Sequence, residues 1–172
     1  MHLLKKFGLK KFSHLIEQPS AKMLPVVNKI LPYIIPFNQP HKISIISISK
    51  NEVKASLPFS TKNKNHISTL HACAIATLGE FTAGILLLQH FPIVKFRMIL
   101  KKLDSKYHYQ GKTQLNSITK SPDNLKQSIN TIQISGVGYI SLKTDLFDKG
   151  NNLVATVLST WQIKKWEKTH TS

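Results

Sequence analysis

An α+β domain, with an antiparallel sheet curved around one long helix, is the fold class that this sequence predicts. Three observations lead there. Segments of hydrophobic period two lie on both sides of the chain's middle, as half-buried strands require. Between them the stretch from Leu70 to His90 is apolar nearly all round, the mark of a helix buried on most sides. The order is strand, strand, helix, then three or four strands, without the regular alternation that a parallel α/β sheet would need.

Taken in chain order, residues 1–40 stand apart and hold five of the eight prolines. Proline suits the first turn of a helix and breaks one further in, so short helices joined by extended pieces are expected. In "SAKMLPVVNKILPYI", Ser20 can cap a helix whose stripe is Met23, Val26, Val27, Ile30 and Leu31. After Pro40, "HKISIISIS" has the β-branched density of a strand. In "EVKASLPF" Val53, Ala55, Leu57 and Phe59 alternate with polar residues. A hairpin turned at Lys50-Asn51 joins the two, and "STKNKN" (60–65) is polar loop. The long helix comes next and stops near Pro92. "VKFRMIL" (94–100) and "KYHYQGKTQLNSIT" (106–119) read as strands, and "SPDN" (121–124) as a turn. "TIQISGVGYISLKTDLF" (131–147) reads as extended, with a bend at Gly136 and Gly138. "DKGNN" (148–152) turns a last hairpin into "LVATVLSTWQIKKW".

At 172 residues the chain is long enough for one domain with a real core. We divide it into an N-terminal basic, proline-containing helical extension over 1–40 and a main domain over 41–168. The single cysteine, Cys73, rules out an intramolecular disulfide framework and suits a reducing compartment. No stretch reaches the roughly 20 apolar residues of a membrane-spanning helix. "MHLLKKFGLKKFSHLI" starts like a signal peptide, but its recurrent lysines break any apolar core, so a cytoplasmic location is expected. The formal net charge of +16 favours anionic partners: nucleic acid, acidic lipid or a phosphorylated small molecule. No zinc-finger spacing, RNP-like strand or helix-turn-helix is present, so nucleic acid is not the expected partner. The histidines form no metal-binding pattern, and neither a metal nor a cofactor is expected. "GKT" at 111–113 lacks the upstream glycine of a phosphate-binding loop.

"NHISTLHACAIATLGE" (65–80) carries a resemblance. Asn65, then His71 opening the helix, then Glu80 nine residues later, is similar to the motif of hotdog-fold thioesterases of the phenylacetate-degradation type. The strand, Asn-rich loop and Thr-containing turn of 57–72, with the lead-in "LPYIIPF" (31–37), look like an uncharacterised relative with an N-terminal helical extension. The resemblance spans about residues 20–166. It departs at Ala72 and Cys73, where the family has two glycines, and side chains there narrow the approach to the helix start.

The resemblance implies a hotdog fold and hydrolysis of an acyl-CoA or acyl-carrier thioester, with Glu80 as base or nucleophile at the interface of a homodimer or homotetramer. It implies backbone donors at Ala72 or Cys73 for the carbonyl oxygen, and Asn65, Thr69 and His71 shaping the site. Helix N-termini do present unpaired N–H groups and a positive dipole end. Read from chemistry alone, Glu80 could equally contact a ligand without turnover or pair structurally. His71 could be a turn residue, Asn65 simple loop chemistry, and Cys73 a small buried residue or a nucleophile beside His71. Lys95, Arg97 and Lys101, with Lys102, line a strand. In this fold they could meet coenzyme A phosphates, or form a solvated face. The N-terminal lysines, with Leu3, Leu4, Phe7, Phe12 and Leu15, could lie on an anionic membrane surface. The alternative to an enzyme is therefore a non-catalytic acyl-ligand-binding or structural protein, membrane-peripheral in one form.

Overall fold

The computed structural model describes residues 13–17 and 20–166. Six strands form one antiparallel sheet: β1 (Ser44–Ser49), β2 (Glu52–Leu57), β3 (Phe96–Tyr107), β4 (Leu115–Lys120), β5 (Val137–Phe147) and β6 (Leu153–Lys165). Their spatial order is β1-β2-β4-β5-β6-β3, so β1 and β3 are the edges. With them, among the described residues, go α1 (Leu24–Ile34), α2 (Ala72–Leu88) and α3 (Leu125–Ser135), and residues 13–17 are helical as well. The expected architecture, a curved antiparallel sheet wrapped around one long helix, is what the chain adopts.

The central helix α2 packs on β2, β4, β5 and β6. Its side chains from Phe81 to Leu87 are all buried, as are Ala74, Ile75, Leu78 and Gly79. On its first turns Ala72, Cys73, Ala76, Thr77 and Glu80 keep exposure. Backbone contact at Gly79 is close enough that a Cβ there would stand 2.6 Å from Val157 Cβ. Hydroxyls complete the fit. Thr82 Oγ1 lies 2.6 Å from Ser117 Oγ, and Thr144 Oγ1 donates to the Gly79 carbonyl at 3.1 Å. These groups are fully buried, so their mutual bonds offset the cost of removing them from water.

Edge strand β1 is covered by α1. Asn28 receives the Ile45 N–H at 2.7 Å and donates to the Ile45 carbonyl at 3.0 Å, pairing the edge as a neighbouring strand would. Within the stretch 13–17, Ile16 belongs to the core and Leu15 packs against it. Leu15 therefore points into the protein and does not serve the membrane-facing stripe; Leu3, Leu4, Phe7 and Phe12 lie outside the described residues.

Three expectations are corrected. Residues 125–135 form helix α3, where 131–135 read as extended. The stripe Leu125, Ile129 and Ile132 has helical spacing, and Gly136 at φ 78° ends the helix in the left-handed region. The β-branched density of "TIQI" disguised it. The segment 106–119 is not one strand, because β3 ends at Tyr107 and residues 108–114 form a loop before β4. Ser20 does not cap α1 with its side chain; its carbonyl accepts the Met23 N–H at 2.9 Å in a 3-10 turn.

Candidate active site

The site is built from the loop that leads into α2. Asn63, fully buried, is its anchor. Its amide donates to the carbonyls of His41 (3.0 Å) and Pro58 (2.9 Å), and its Oδ1 lies 2.9 Å from His41 Nδ1. Its own carbonyl accepts the His71 N–H at 2.7 Å, which fixes the residue preceding the helix. Residues 65–69 then form a tight turn. Asn65 Oδ1 accepts the N–H groups of Ile67 and Thr69, each at 3.1 Å, and its Nδ2 donates to Thr69 Oγ1 at 2.9 Å. The Asn65 and Thr69 side chains are thus engaged with each other, holding Ser68 at φ 61°.

His71 is the N-cap of α2, with extended backbone (φ −67°, ψ 137°). Its Nδ1 accepts the Cys73 N–H at 3.0 Å. That bond consumes one of the two expected backbone donors. The Ala72 N–H has no acceptor among the described residues, and the Ala72 carbonyl accepts the Tyr107 hydroxyl at 3.0 Å. Cys73 is exposed, not buried. Its carbonyl accepts the Thr77 hydroxyl at 2.8 Å, the bond that straps this face of the helix.

Two turns on, Glu80 is half-buried on the same face. It has no hydrogen-bond or ion-pair partner among the described residues. Burial raises its pKa from 4.5 to about 7, because the charged form loses hydration without gaining a compensating contact. Eight residues separate it from Ala72, roughly 12 Å along the helix axis. One carbonyl group cannot touch both ends of that span.

Strand β3 flanks the site. Tyr107 is paired with Ala155 and Leu103 with Ser159, both buried against α2, so both β3 side chains share the helix-covered face. They nevertheless remain 43% and 39% exposed, since α2 reaches only the margin of this edge strand. Lys95, Arg97 and Lys101 are exposed as well. Arg97 is ten residues from Tyr107, roughly 30 Å along an extended strand, so within one chain it lies far from the start of α2. Lys101 sits at the bulge between Leu100 and Lys102.

A family model described as a domain of unknown function (DUF4442) matches residues 25–163. The chain belongs to the DUF4442 family. A search of the curated proteins found no match. Among solved structures, this DUF4442 chain is similar to a Pseudomonas aeruginosa protein of unknown function described as a probable thioesterase. The two are 22% identical with a TM-score of 0.74, over 83% of this chain and 95% of that one. It is also similar to a thioesterase from Haemophilus influenzae, at 12% identity and a TM-score of 0.62, over 86% and 94% of the two chains. A thioesterase enzyme from Staphylococcus aureus, studied as a mutant, gives 15% identity and a TM-score of 0.63 over 75% and 98%. At these identities the likeness is one of fold: the DUF4442 chain has the thioesterase-like hotdog fold.

Sequence reasoning missed Asn63 and Tyr107. Asn63 is one of several polar residues in "STKNKN", and nothing local marks it as the buried one. Tyr107 was hidden inside the strand that the structure divides, though a tyrosine at a strand end can supply a polar tip to a neighbouring backbone.

Proposed function

We propose that the protein hydrolyses an acyl-CoA or acyl-carrier thioester, at a site shared between two copies of the chain. The observation that carries this reading is Glu80, an unpaired carboxylate held half-buried in an apolar helix and matched to proton transfer near neutral pH. The 12 Å gap to the helix start supports a shared site. The Ala72 N–H of one copy polarises the thioester carbonyl while Glu80 of the other acts on the same carbon. As base, Glu80 takes a proton from water as its oxygen attacks the carbonyl carbon; the C–S bond then breaks and the thiolate is protonated. As nucleophile, its carboxylate attacks first and water cleaves the resulting anhydride. Asn65, Thr69 and His71 shape the turn that presents the donor.

The unpaired outer edge of β3, twelve residues long, supports a homodimer formed by antiparallel pairing of two such edges. In that arrangement Lys95 and Arg97 of a second copy approach the Tyr107 end of the first, where they can meet carrier phosphates, while Lys101 lies near the middle of the paired edges. The test is a panel of acyl-CoA chain lengths with free-thiol detection, run on the chain and on Glu80→Gln. Turnover abolished in the variant supports the role of Glu80; undiminished turnover removes it. No turnover at any chain length leaves the ligand-binding alternative.

A second reading has its own observation. On α1 and the 3-10 turn after it, Val26, Tyr33 and Phe37 are 42%, 79% and 70% exposed, beside exposed Lys22 and Lys29. Such a mixture suits the interface of an anionic bilayer, and makes the protein membrane-peripheral. Co-sedimentation with phosphatidylglycerol vesicles, weakened by salt and by Tyr33→Ser with Phe37→Ser, is the expected outcome. No binding at low salt would discard it.

A further inference from the structure

The outer face of the sheet, turned away from α2, carries a corner that the candidate site does not use. In β5 the buried Ile140 and Leu142 point toward α2, so Val137 and Tyr139 point outward. In β3, Met98 and Leu100 pack on the core, so Arg97 and Ile99 point outward as well. Register brings these side chains together across β6. Gln162 lies between Tyr139 and Ile99, and Lys164 between Val137 and Arg97. Trp166 follows Lys164 on the same side, and the Arg97 guanidinium lies 6.0 Å from its ring centre.

The polar edges of the two large rings are occupied while their faces are not. Gln162 Nε2 donates to the Tyr139 hydroxyl at 2.9 Å, and the Trp166 indole N–H donates to the Ile93 carbonyl at 2.9 Å. The two residues are nonetheless 59% and 54% exposed, beside exposed Val94, Ile99 and Val137. The charge around them has one sign. Stretches 81–103, 125–144 and 157–166, which build this corner and its surroundings, contain no Asp or Glu. Lys95, Arg97, Lys101, Lys102 and Lys165 are exposed there. The next carboxylate along β3 is Asp104, roughly 20 Å up the strand from Arg97. Glu167 is followed by Lys168 in the sequence, and both lie outside the described residues.

Three kinds of occupant can meet cations and exposed rings, and the aliphatic side chains decide among them. Val94, Ile99 and Val137 gain nothing from phosphates or stacked bases, which argues against nucleic acid. Two copies of the corner set face to face would bring like charges together. A tryptophan and a tyrosine with satisfied polar edges, set among aliphatics and cations, match the boundary between lipid headgroups and acyl chains. We propose that this corner of β5, β6 and β3 docks on an anionic phospholipid bilayer. The inference rests on the membrane-peripheral reading and deepens it, naming a contact away from α1, which covers the opposite edge strand of the sheet. Glu80 and α2 occupy the other face of the sheet, so docking leaves the candidate site toward water. Pairing of two β3 edges would turn both corners to one side of the joined sheet, and a dimer could engage both at once.

The probe is a vesicle of phosphatidylglycerol and phosphatidylcholine, mixed with the full chain at low salt. The chain has two tryptophans and Trp161 is buried, so a change in emission on vesicle addition reports Trp166. Co-sedimentation, a blue shift and quenching by brominated lipid are expected, all weakened by salt. Trp166→Ser with Tyr139→Ser should weaken partitioning about tenfold. Lys95→Gln with Arg97→Gln, which leaves both rings in place, should weaken it roughly 30-fold. Circular dichroism checks that each variant folds. Weakened binding in both corner pairs supports the proposal whatever Tyr33→Ser with Phe37→Ser does. A folded corner pair that binds as well as the parent overturns it; if the α1 pair alone fails, the membrane-peripheral reading stands on α1. No binding at low salt overturns both. A single-stranded oligonucleotide that binds the parent but not the corner variants, where vesicles do not bind, would assign the face to nucleic acid and overturn the lipid contact.

Discussion

The backbone N–H of Cys73 donates to the imidazole Nδ1 of His71 at 3.0 Å, so the central helix is capped by the ring of its own N-cap residue. An acceptor Nδ1 carries no proton, which puts the proton of the neutral ring on Nε2. The Cys73 N–H is thereby engaged, and the Ala72 N–H is left without an acceptor among the described residues. His71→Ala removes the cap and should cost about 1 kcal/mol, a fall in Tm of roughly 3 °C for a chain of this length. His71→Asn, whose side chain caps in the same way, should recover most of it. Thermal melts of the three proteins decide the matter; equal melting temperatures would mean that the imidazole contributes nothing as a cap.

Glu80 couples stability to pH. Its folded pKa of about 7 lies above the ordinary 4.5, so the folded chain retains a proton that the unfolded chain has released. Stability is unaffected by this group below pH 4.5, declines as pH rises from there to 7 and levels off above, by on the order of 3 kcal/mol in total. Glu80→Gln has no such dependence and should be the more stable protein at pH 8, with little difference at pH 4. Urea denaturation at the two pH values measures it. Turnover, if Glu80 is the base, should rise along a limb centred near pH 7.

The buried Asn63 predicts a larger effect far from the carboxylate. Asn63→Ala strands the carbonyls of His41 and Pro58 and deletes the contact with His41 Nδ1. A loss of roughly 2–4 kcal/mol is expected, since buried polar groups left unpaired carry most of the cost. Asn63→Asp should not rescue it, because a carboxylate cannot donate to either carbonyl. Denaturation midpoints check both variants, and a midpoint within error of the parent would remove Asn63 as the anchor of the loop.

How much of this was legible in the sequence depends on whether a signal was local. Helix α2 announced itself, because few segments are apolar on every side, and Glu80 stood out as the one charge between Ala72 and Leu88. The strands before α2 showed their period cleanly. By contrast α3 was hidden, because Thr131, Ile132 and Ile134 favour strands while tertiary packing of Ile132 on Gly138 decides for helix. The role of Asn63 depends on partners 22 and 5 residues away, and no local pattern separates it from Asn65. The exposure of Cys73 was equally invisible, since it is set by how α2 sits against the rest of the fold and not by any local pattern.

Gly79 tests that helix–sheet contact. A methyl group there would stand 2.6 Å from both Cβ and Cγ2 of Val157, so Gly79→Ala must push α2 away from β6. Overpacking of this kind costs about 1–3 kcal/mol. Trimming Val157→Ala in the same chain should not restore the parent's stability, because the Cβ that clashes remains. Recovery in the double variant would show that the two elements separate easily.

The shared site can be tested without a ligand-bound structure. Ala72 is the first residue of α2, where proline is tolerated, and the extended ψ of 137° at His71 suits a proline after it. Ala72→Pro should therefore fold with little change in Tm while removing the only uncapped N–H of the expected pair. It should lower kcat by about 100-fold, the usual scale for one oxyanion donor. Glu80→Gln should be inactive for the separate reason that its carboxylate is gone. Each variant alone carries two defective sites. Mixed after unfolding and refolding together, they form heterodimers in which one site loses both groups and the other keeps both. If donor and carboxylate come from different copies, the mixture regains up to about a quarter of the parent activity, because half the dimers are mixed and each holds one intact site. A mixture as inactive as its components would place donor and carboxylate in the same chain, and the geometry of the reaction would have to be redrawn.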